Sequence, residues 1–131
     1  MALVPPDVIP ADVILLVDDE RDLTATCERI LQRVGYRVVT VDSCAAALAA
    51  LAQGPPTLVI SDVRLPDGNG LDVVRAAQRR AKPIPSIVIT GQPSERGRQA
   101  AADVGATGYL AKPFSVAAFT ELVRQTLRPL A

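Results

Sequence analysis

The chain has 131 residues, enough for one hydrophobic core and too few for a second sizeable one. Almost half of it (49%) is hydrophobic, which favours a packed globule over disorder, and its 14 basic and 14 acidic residues cancel. A net charge of zero argues against nonspecific nucleic-acid binding, and no apolar run approaches the roughly 20 residues of a membrane span.

Met1 to Asp12 carries three prolines and no basic residue, which is unlike a signal peptide and reads as a flexible leader. Val13–Val17 is a continuous apolar run, the pattern of a central parallel strand covered on both faces. It stops at Asp18-Asp19-Glu20. Leu23, Cys27, Ile30, Leu31 and Val34 then recur at helical spacing, and Gly35 ends that helix. Arg37–Val41 reads as a short strand. Asp42-Ser43 can cap an alanine-rich helix over Cys44–Gln53, stopped by Gly54 and two prolines. Thr57–Asp62 is a buried strand whose last residue meets the turn sequence Pro66-Asp67-Gly68.

A helix is predicted over Leu71–Arg80, broken by Pro83-Ile84-Pro85, and a strand over Ser86–Thr90. The helix predicted over Ser94–Val104 is the weakest: its apolar face is mostly alanine, and Gly97 costs about 1 kcal/mol relative to Ala in a helix interior. Thr107–Ala111 is a fifth strand. The last helix runs from Ser115 to about Arg128, with Phe119, Leu122, Val123 and Leu127 on one face. The expected organisation is a leader over 1–12, one domain over 13–128 and a tail over 129–131. Cys27 and Cys44, without C-x-x-C spacing, read as buried thiols.

Strict alternation of strand and helix implies right-handed crossovers and a parallel α/β sheet with helices on both faces. In such sheets chemistry collects at the carboxyl edge. Asp18-Asp19 end the first strand and Asp62 the third. If those strands are neighbours, three carboxylates share one pocket, and like charges that close oppose ionisation unless something neutralises them. A hard divalent cation such as Mg²⁺ would do so. Taken alone, Asp18-Asp19-Glu20 is explained equally well as a cap that favours the dipole of the next helix. Thr90 and Lys112 end the fourth and fifth strands, and a hydroxyl with an ammonium suits a phosphoryl group. Individually both are ordinary. Pro113 restricts Lys112 to extended geometry and makes Lys112-Pro113 a cis-peptide candidate, and either effect could aim the lysine inward.

Asp18-Asp19, Asp62 with Leu65-Pro66-Asp67-Gly68, Thr90-Gly91 and Lys112-Pro113-Phe114 together resemble the receiver domain of two-component response regulators. The likeness spans Val13 to Leu127 in order. It implies a flavodoxin-like, doubly wound five-stranded sheet of order 2-1-3-4-5. It makes Asp62 the phosphoacceptor, with Mg²⁺ held by Asp19, Asp62 and the backbone carbonyl of Arg64, and by Asp18 directly or through water. Lys112 would pair with the acyl phosphate, Thr90 would hydrogen-bond it, and Tyr109 matches the switch aromatic. Arg64 and Gln92 would rim the site and tune phosphoryl lifetime. The resemblance also implies a cytoplasmic protein that is not a metabolic enzyme. Its phosphoryl donor would be a histidine kinase or histidine phosphotransfer protein, and a homodimer could form through the 94–128 face. The chain has no histidine, so the usual donor group must come from elsewhere. A flavodoxin-like cofactor binder is disfavoured because Asp18-Asp19-Glu20 would repel phosphate. A Mg²⁺-dependent phosphatase would need a substrate cap, for which no insertion is long enough. A receiver used only for docking or phosphate carriage, without switch output, is the remaining alternative.

Overall fold

The computed structural model describes residues 13–127. The expected leader and tail, and the end of the last helix, lie outside the described residues. The main sheet has five parallel strands: β1 (Val13–Val17), β2 (Arg37–Val41), β3 (Leu58–Asp62), β4 (Ser86–Thr90) and β5 (Gly108–Ala111), in the order β2-β1-β3-β4-β5. Five helices alternate with them: α1 (Arg21–Val34), α2 (Cys44–Gln53), α3 (Gly70–Gln78), α4 (Glu95–Asp103) and α5 (Val116–Leu127). This is the doubly wound arrangement that the alternation predicts. The topology reverses beside β1, so the carboxyl ends of β1 and β3 are adjacent and open a crevice between them.

Central strands β3 and β4 are buried at every position, which is why they read as continuous apolar runs with no alternation. On one face Ile14, Leu16, Ile60, Ile87 and Ile89 pack against Cys27 and Leu31 of α1 and Phe119 and Val123 of α5. On the other, Leu15, Val17 and Val59 meet Ala47 and Leu51 of α2 and Val73 and Ala77 of α3. A smaller cluster joins Val74, Val88 and Ala101, with Tyr109 packed against it. Cys27 and Cys44 are free and buried.

The helix ends follow their capping chemistry. Gly35 closes α1 at φ 111°, in the left-handed region that favours glycine. Ser43, Asn69 and Ser94 cap α2, α3 and α4 by accepting from Ala46, Leu71 and Gly97 amides. Most boundaries fall within one residue of expectation, and two features differ by more. Helix α3 ends at Gln78, short of the predicted Arg80. There the chain turns away: the Gln78 side-chain Nε2 donates to the Ile84 carbonyl, and the Arg80 guanidinium reaches across to the Leu51 carbonyl. The turn after Asp62 also contains more order than a loop, since Arg64–Leu65 and Gly68–Asn69 form a short antiparallel ribbon.

Gly70 is the tightest point of that segment. A Cβ built there would lie 1.8 Å from the Asp62 carbonyl oxygen and 2.6 Å from Ser61 Oγ, while the Gly70 amide donates to the Val63 carbonyl at 2.7 Å. The start of α3 therefore rests directly on the end of β3. Gly70→Ala must push the two apart and is expected to cost about 3 kcal/mol or more, whereas Gly91→Ala, which meets open space, should stay within about 0.5 kcal/mol. Urea denaturation of both variants checks the contrast, and equal midpoints would refute it.

Candidate functional site

Residues from four strand ends meet at the carboxyl edge. The parallel ladders continue one residue past the strands: the amides of Asp18, Val63 and Lys112 donate to the carbonyls of Val41, Ile89 and Thr90 at 3.1, 3.1 and 2.8 Å. Each loop thus leaves the sheet in fixed register. Lys112 projects into the crevice between Asp18 and Asp62. Its Nζ donates to Asp62 Oδ2 at 2.8 Å and to Glu20 Oε1 at 2.7 Å. It also lies 3.0 Å from Asp18 Oδ2, an ion-pair contact without hydrogen-bond geometry. The Lys112-Pro113 peptide is cis. Phe114 stacks on Phe119 of α5, ring centroids 5.2 Å apart, and so ties the segment after Lys112 to the core.

Burial separates the carboxylates. The Asp18 side chain is fully buried and the Asp62 side chain nearly so, while that of Glu20 is 62% exposed. Burial raises the pKa of Asp18 above its ordinary value, against the lowering effects of the Glu20 amide, which donates to Asp18 Oδ1 at 2.9 Å, and of Lys112. Burial alone would lower the pKa of Lys112, but its contacts with the Asp62, Glu20 and Asp18 carboxylates outweigh it and push it up. The ammonium is therefore charged throughout the physiological range.

Asp18, Glu20 and Asp62 each place a carboxylate oxygen within 4.8 Å of the other two, an arrangement able to hold a metal ion. Asp18 Oδ2 is buried with no hydrogen-bond partner. A buried carboxylate oxygen held only by its ion pair to Lys112, beside two more carboxylate oxygens, is a donor set that fits a hard cation with oxygen ligands. Asp19 is exposed and stands outside that trio, but it lines the same cleft. The cleft, about 350 Å³, is bordered by Asp19, Glu20, Asp62, Arg64, Thr90, Gly91, Gln92 and Lys112. A larger cleft of about 700 Å³, between Pro55–Thr57 and Arg80–Pro85, lies at the amino edge of the sheet. No carboxylate lines it and Arg80 is already bonded, so the reactive groups are at the smaller one.

Thr90 is buried at the cleft wall, and its Oγ1 accepts from the Gln92 amide at 3.0 Å. The side chains of Arg64 and Gln92 are exposed at the rim, and the Arg64 amide donates to Asp62 Oδ1 at 3.3 Å. Tyr109 stands apart from the carboxylates, against α4. Its hydroxyl accepts from the Ser94 amide at 3.3 Å, and the Arg98 guanidinium carbon lies 4.8 Å from its ring centroid. Because Val88 pairs with Tyr109 and Thr90 with Ala111, Thr90 and Tyr109 face the same side of the sheet.

Two residues at the site escape sequence reasoning. Glu20 reads as a helix cap, yet its side chain makes no cap hydrogen bond and instead spans 92 residues to Lys112. The signal was that Glu is not among the residues that cap well. Asp67 reads as a turn residue, but its two carboxylate oxygens accept from the Cys44 and Ala45 amides at 2.7 and 2.9 Å. No local signal could have found a partner 23 residues away.

The arrangement has close counterparts. Residues 14–124 match the family model of the response regulator receiver domain. The transcriptional regulatory protein PrrA of Mycobacterium tuberculosis is 33% identical over 115 residues, covering 88% of this chain and 49% of PrrA. The solved chemotaxis response regulator CheY4 of Vibrio cholerae is 30% identical, with a TM-score of 0.83 over 90% of this chain and 100% of that one. A beryllofluoride-activated NtrC4 receiver domain dimer is 29% identical, with a TM-score of 0.83 over 88% and 96%. This chain belongs to the response regulator receiver family, whose members serve two-component signalling and are not metabolic enzymes. It spans about half the length of the curated relatives it matches. No helix among the described residues is long and apolar enough to cross a membrane.

The Asp67 bonds carry a pH consequence. The Ala45 and Cys44 amides favour the ionised carboxylate and hold its pKa below the ordinary 3.8. A depressed folded-state pKa contributes stability that is present above the unfolded value and lost as pH falls through the folded one. Asp67→Ala should therefore be less stable than the parent at neutral pH, with the gap narrowing in acid below the ordinary carboxylate value. Urea midpoints across that range measure it; a gap independent of pH would refute the cap.

Proposed function

We propose that the chain accepts a phosphoryl group on Asp62 from a histidine kinase or a histidine phosphotransfer protein, with Mg²⁺ bound in the acidic cleft. The observation that carries this reading is the position of Asp62, directly bonded to Lys112 and sharing its cleft with the other carboxylates and Thr90. Asp62 is a carboxylate and attacks without a general base, so catalysis reduces to positioning and charge neutralisation. An Asp62 oxygen forms the new bond to phosphorus. The bond from phosphorus to the donor nitrogen breaks, and its electron pair leaves with the donor.

Asp19, Asp62, the Arg64 carbonyl and Asp18 would hold Mg²⁺, and Glu20 lies close enough to take part. The ion supplies charge neutralisation for the incoming phosphoryl oxygens. Lys112 supplies a point charge against the same oxygens, and Thr90 a hydroxyl donor. Gln92 and Arg64 at the rim would control how readily water reaches the acyl phosphate. The extent assigned to this unit is 13–128, in a cytoplasmic protein.

Output would come from the surface of α4, β5 and α5. Thr90, drawn toward the phosphoryl group, leaves room on the face it shares with Tyr109. Tyr109 is tied to α4 by Ser94 and Arg98, so its movement would carry the helix with it. Gly97 makes this contact possible, because a Cβ there would lie 3.0 Å from the Tyr109 hydroxyl. The activated NtrC4 receiver is a dimer, and a homodimer through the 94–128 face is the corresponding proposal here.

With acetyl phosphate and Mg²⁺, the parent should gain one phosphoryl group by mass spectrometry and Asp62→Asn none. Persistent labelling of the variant would remove the assignment. Beryllofluoride with Mg²⁺ should alter hydrogen exchange over residues 94–111 as well as around Asp62. Changes confined to the loops of the cleft would make the domain a phosphate carrier without switch output.

A further inference from the structure

Apart from its nearness to the Mg²⁺ ligands, Glu20 has no role in the chemistry just assigned, yet it makes the shortest contact to Lys112, 2.7 Å. Three carboxylate oxygens lie within 3.0 Å of the ammonium, Asp62 and Glu20 as hydrogen-bond acceptors and Asp18 as an ion pair, so its near shell is crowded with carboxylates. To reach a phosphoryl oxygen it must give up one of them. The three are not equivalent. Releasing Asp18 would strand a fully buried carboxylate, which is costly. Asp62 is the acceptor itself and stays beside Lys112 whatever happens. Glu20 is 62% exposed, and its carboxylate regains water the moment it lets go.

From this ordering we infer that Glu20 is a releasable latch on Lys112, a positioning residue that holds the ammonium in its resting place until the phosphoryl group competes for it. The inference rests on Asp62 being the phosphoacceptor. The position of Glu20 supports it independently. It occupies the N-cap of α1, where a Ser, Thr, Asp or Asn side chain would cap the helix, and makes no cap bond there. The latch is weak by construction: one partner is largely exposed, so its loss should change rates by about two- to fivefold.

Lysine chemistry makes the test clean, because the chain has only two lysines, Lys82 and Lys112, and Lys82 is exposed. In metal-free protein, side-chain ammonium NMR should show Lys112 exchanging slowly with solvent. Glu20→Gln should speed that exchange about two- to fivefold and, at saturating Mg²⁺, speed acetyl-phosphate labelling of Asp62 by a similar factor. Glu20→Asp keeps the charge but is one methylene shorter. A latch predicts that it follows Glu20→Gln in both measurements. Glu20→Asp indistinguishable from the parent would overturn the inference, since charge alone would then account for the effect. So would unchanged Lys112 exchange in Glu20→Gln, or slower labelling of that variant at saturating Mg²⁺. Because the exchange measurement involves no phosphoryl group, it stands even if Asp62→Asn shows the acceptor to be elsewhere.

Discussion

One ammonium facing three carboxylates is the interaction on which the site depends. Without Lys112, Asp18 would be a buried anion beside a second buried anion, and that arrangement is unstable unless charge or proton is supplied. The lysine resolves the problem only because β5 ends where it does. Its amide continues the ladder to Thr90, the Phe114–Phe119 stack fixes the segment after it, and β1 and β3 deliver the acids as neighbours. The order of strands in the sheet is thus a condition for the electrostatics. A single ammonium does not balance three carboxylates, and the remaining negative charge is what makes the cleft attractive to a divalent cation.

A second constraint is steric and lies below the first. Asp62 reaches the cleft from a strand end that is wedged against the start of α3, with no room for a side chain at Gly70. The following turn is then pinned three times: by its ribbon, by Asn69 at the amino end of α3, and by Asp67 at the amino end of α2. The last two pins use a short polar side chain on backbone amides that a helix start leaves unpaired. The result is a rigid mount for Asp62 and the Arg64 backbone. Rigidity would matter for the proposed phosphoryl transfer, in which positioning is most of what the site contributes.

The fold was legible because its signals are local. Continuous apolar runs such as Val13–Val17 and Ser86–Thr90 can only be central strands when they alternate with helical spacing, and the alternation itself dictates a parallel sheet. The strand-end residues were legible for the same reason, since each sits at the boundary of its own run. What stayed hidden depends on contacts far apart in the chain. Glu20 could be assigned to its helix but not to Lys112, 92 residues on. Asp67 could be assigned to its turn but not to α2. Gly97 was legible as a weakness in α4, while the reason for it, room for the Tyr109 hydroxyl, belongs to a strand that comes later. The end of α3 was misplaced because Arg80 is drawn away by the Leu51 carbonyl, a partner that no helical pattern reveals.

The same distinction between apolar and polar attachment explains where the domain can move. Helix α3 buries Val73, Val74 and Ala77, and α5 buries Phe119 and Val123, so displacing either exposes large apolar surface. Helix α4 buries only Ala101. What holds it otherwise is polar and at its edge: the Ser94 amide on the Tyr109 hydroxyl, and the Arg98 guanidinium over the ring. Polar contacts of this kind can be exchanged for water at little net cost, whereas buried methyl groups cannot. A shift of α4 therefore leaves both main clusters of the core intact. Tyr109 lies on β5, which leads into Lys112, and under the proposed switch it would be the link through which a change of charge at the cleft reaches that helix. The weakest helix of the sequence is in this way the element whose displacement the fold resists least.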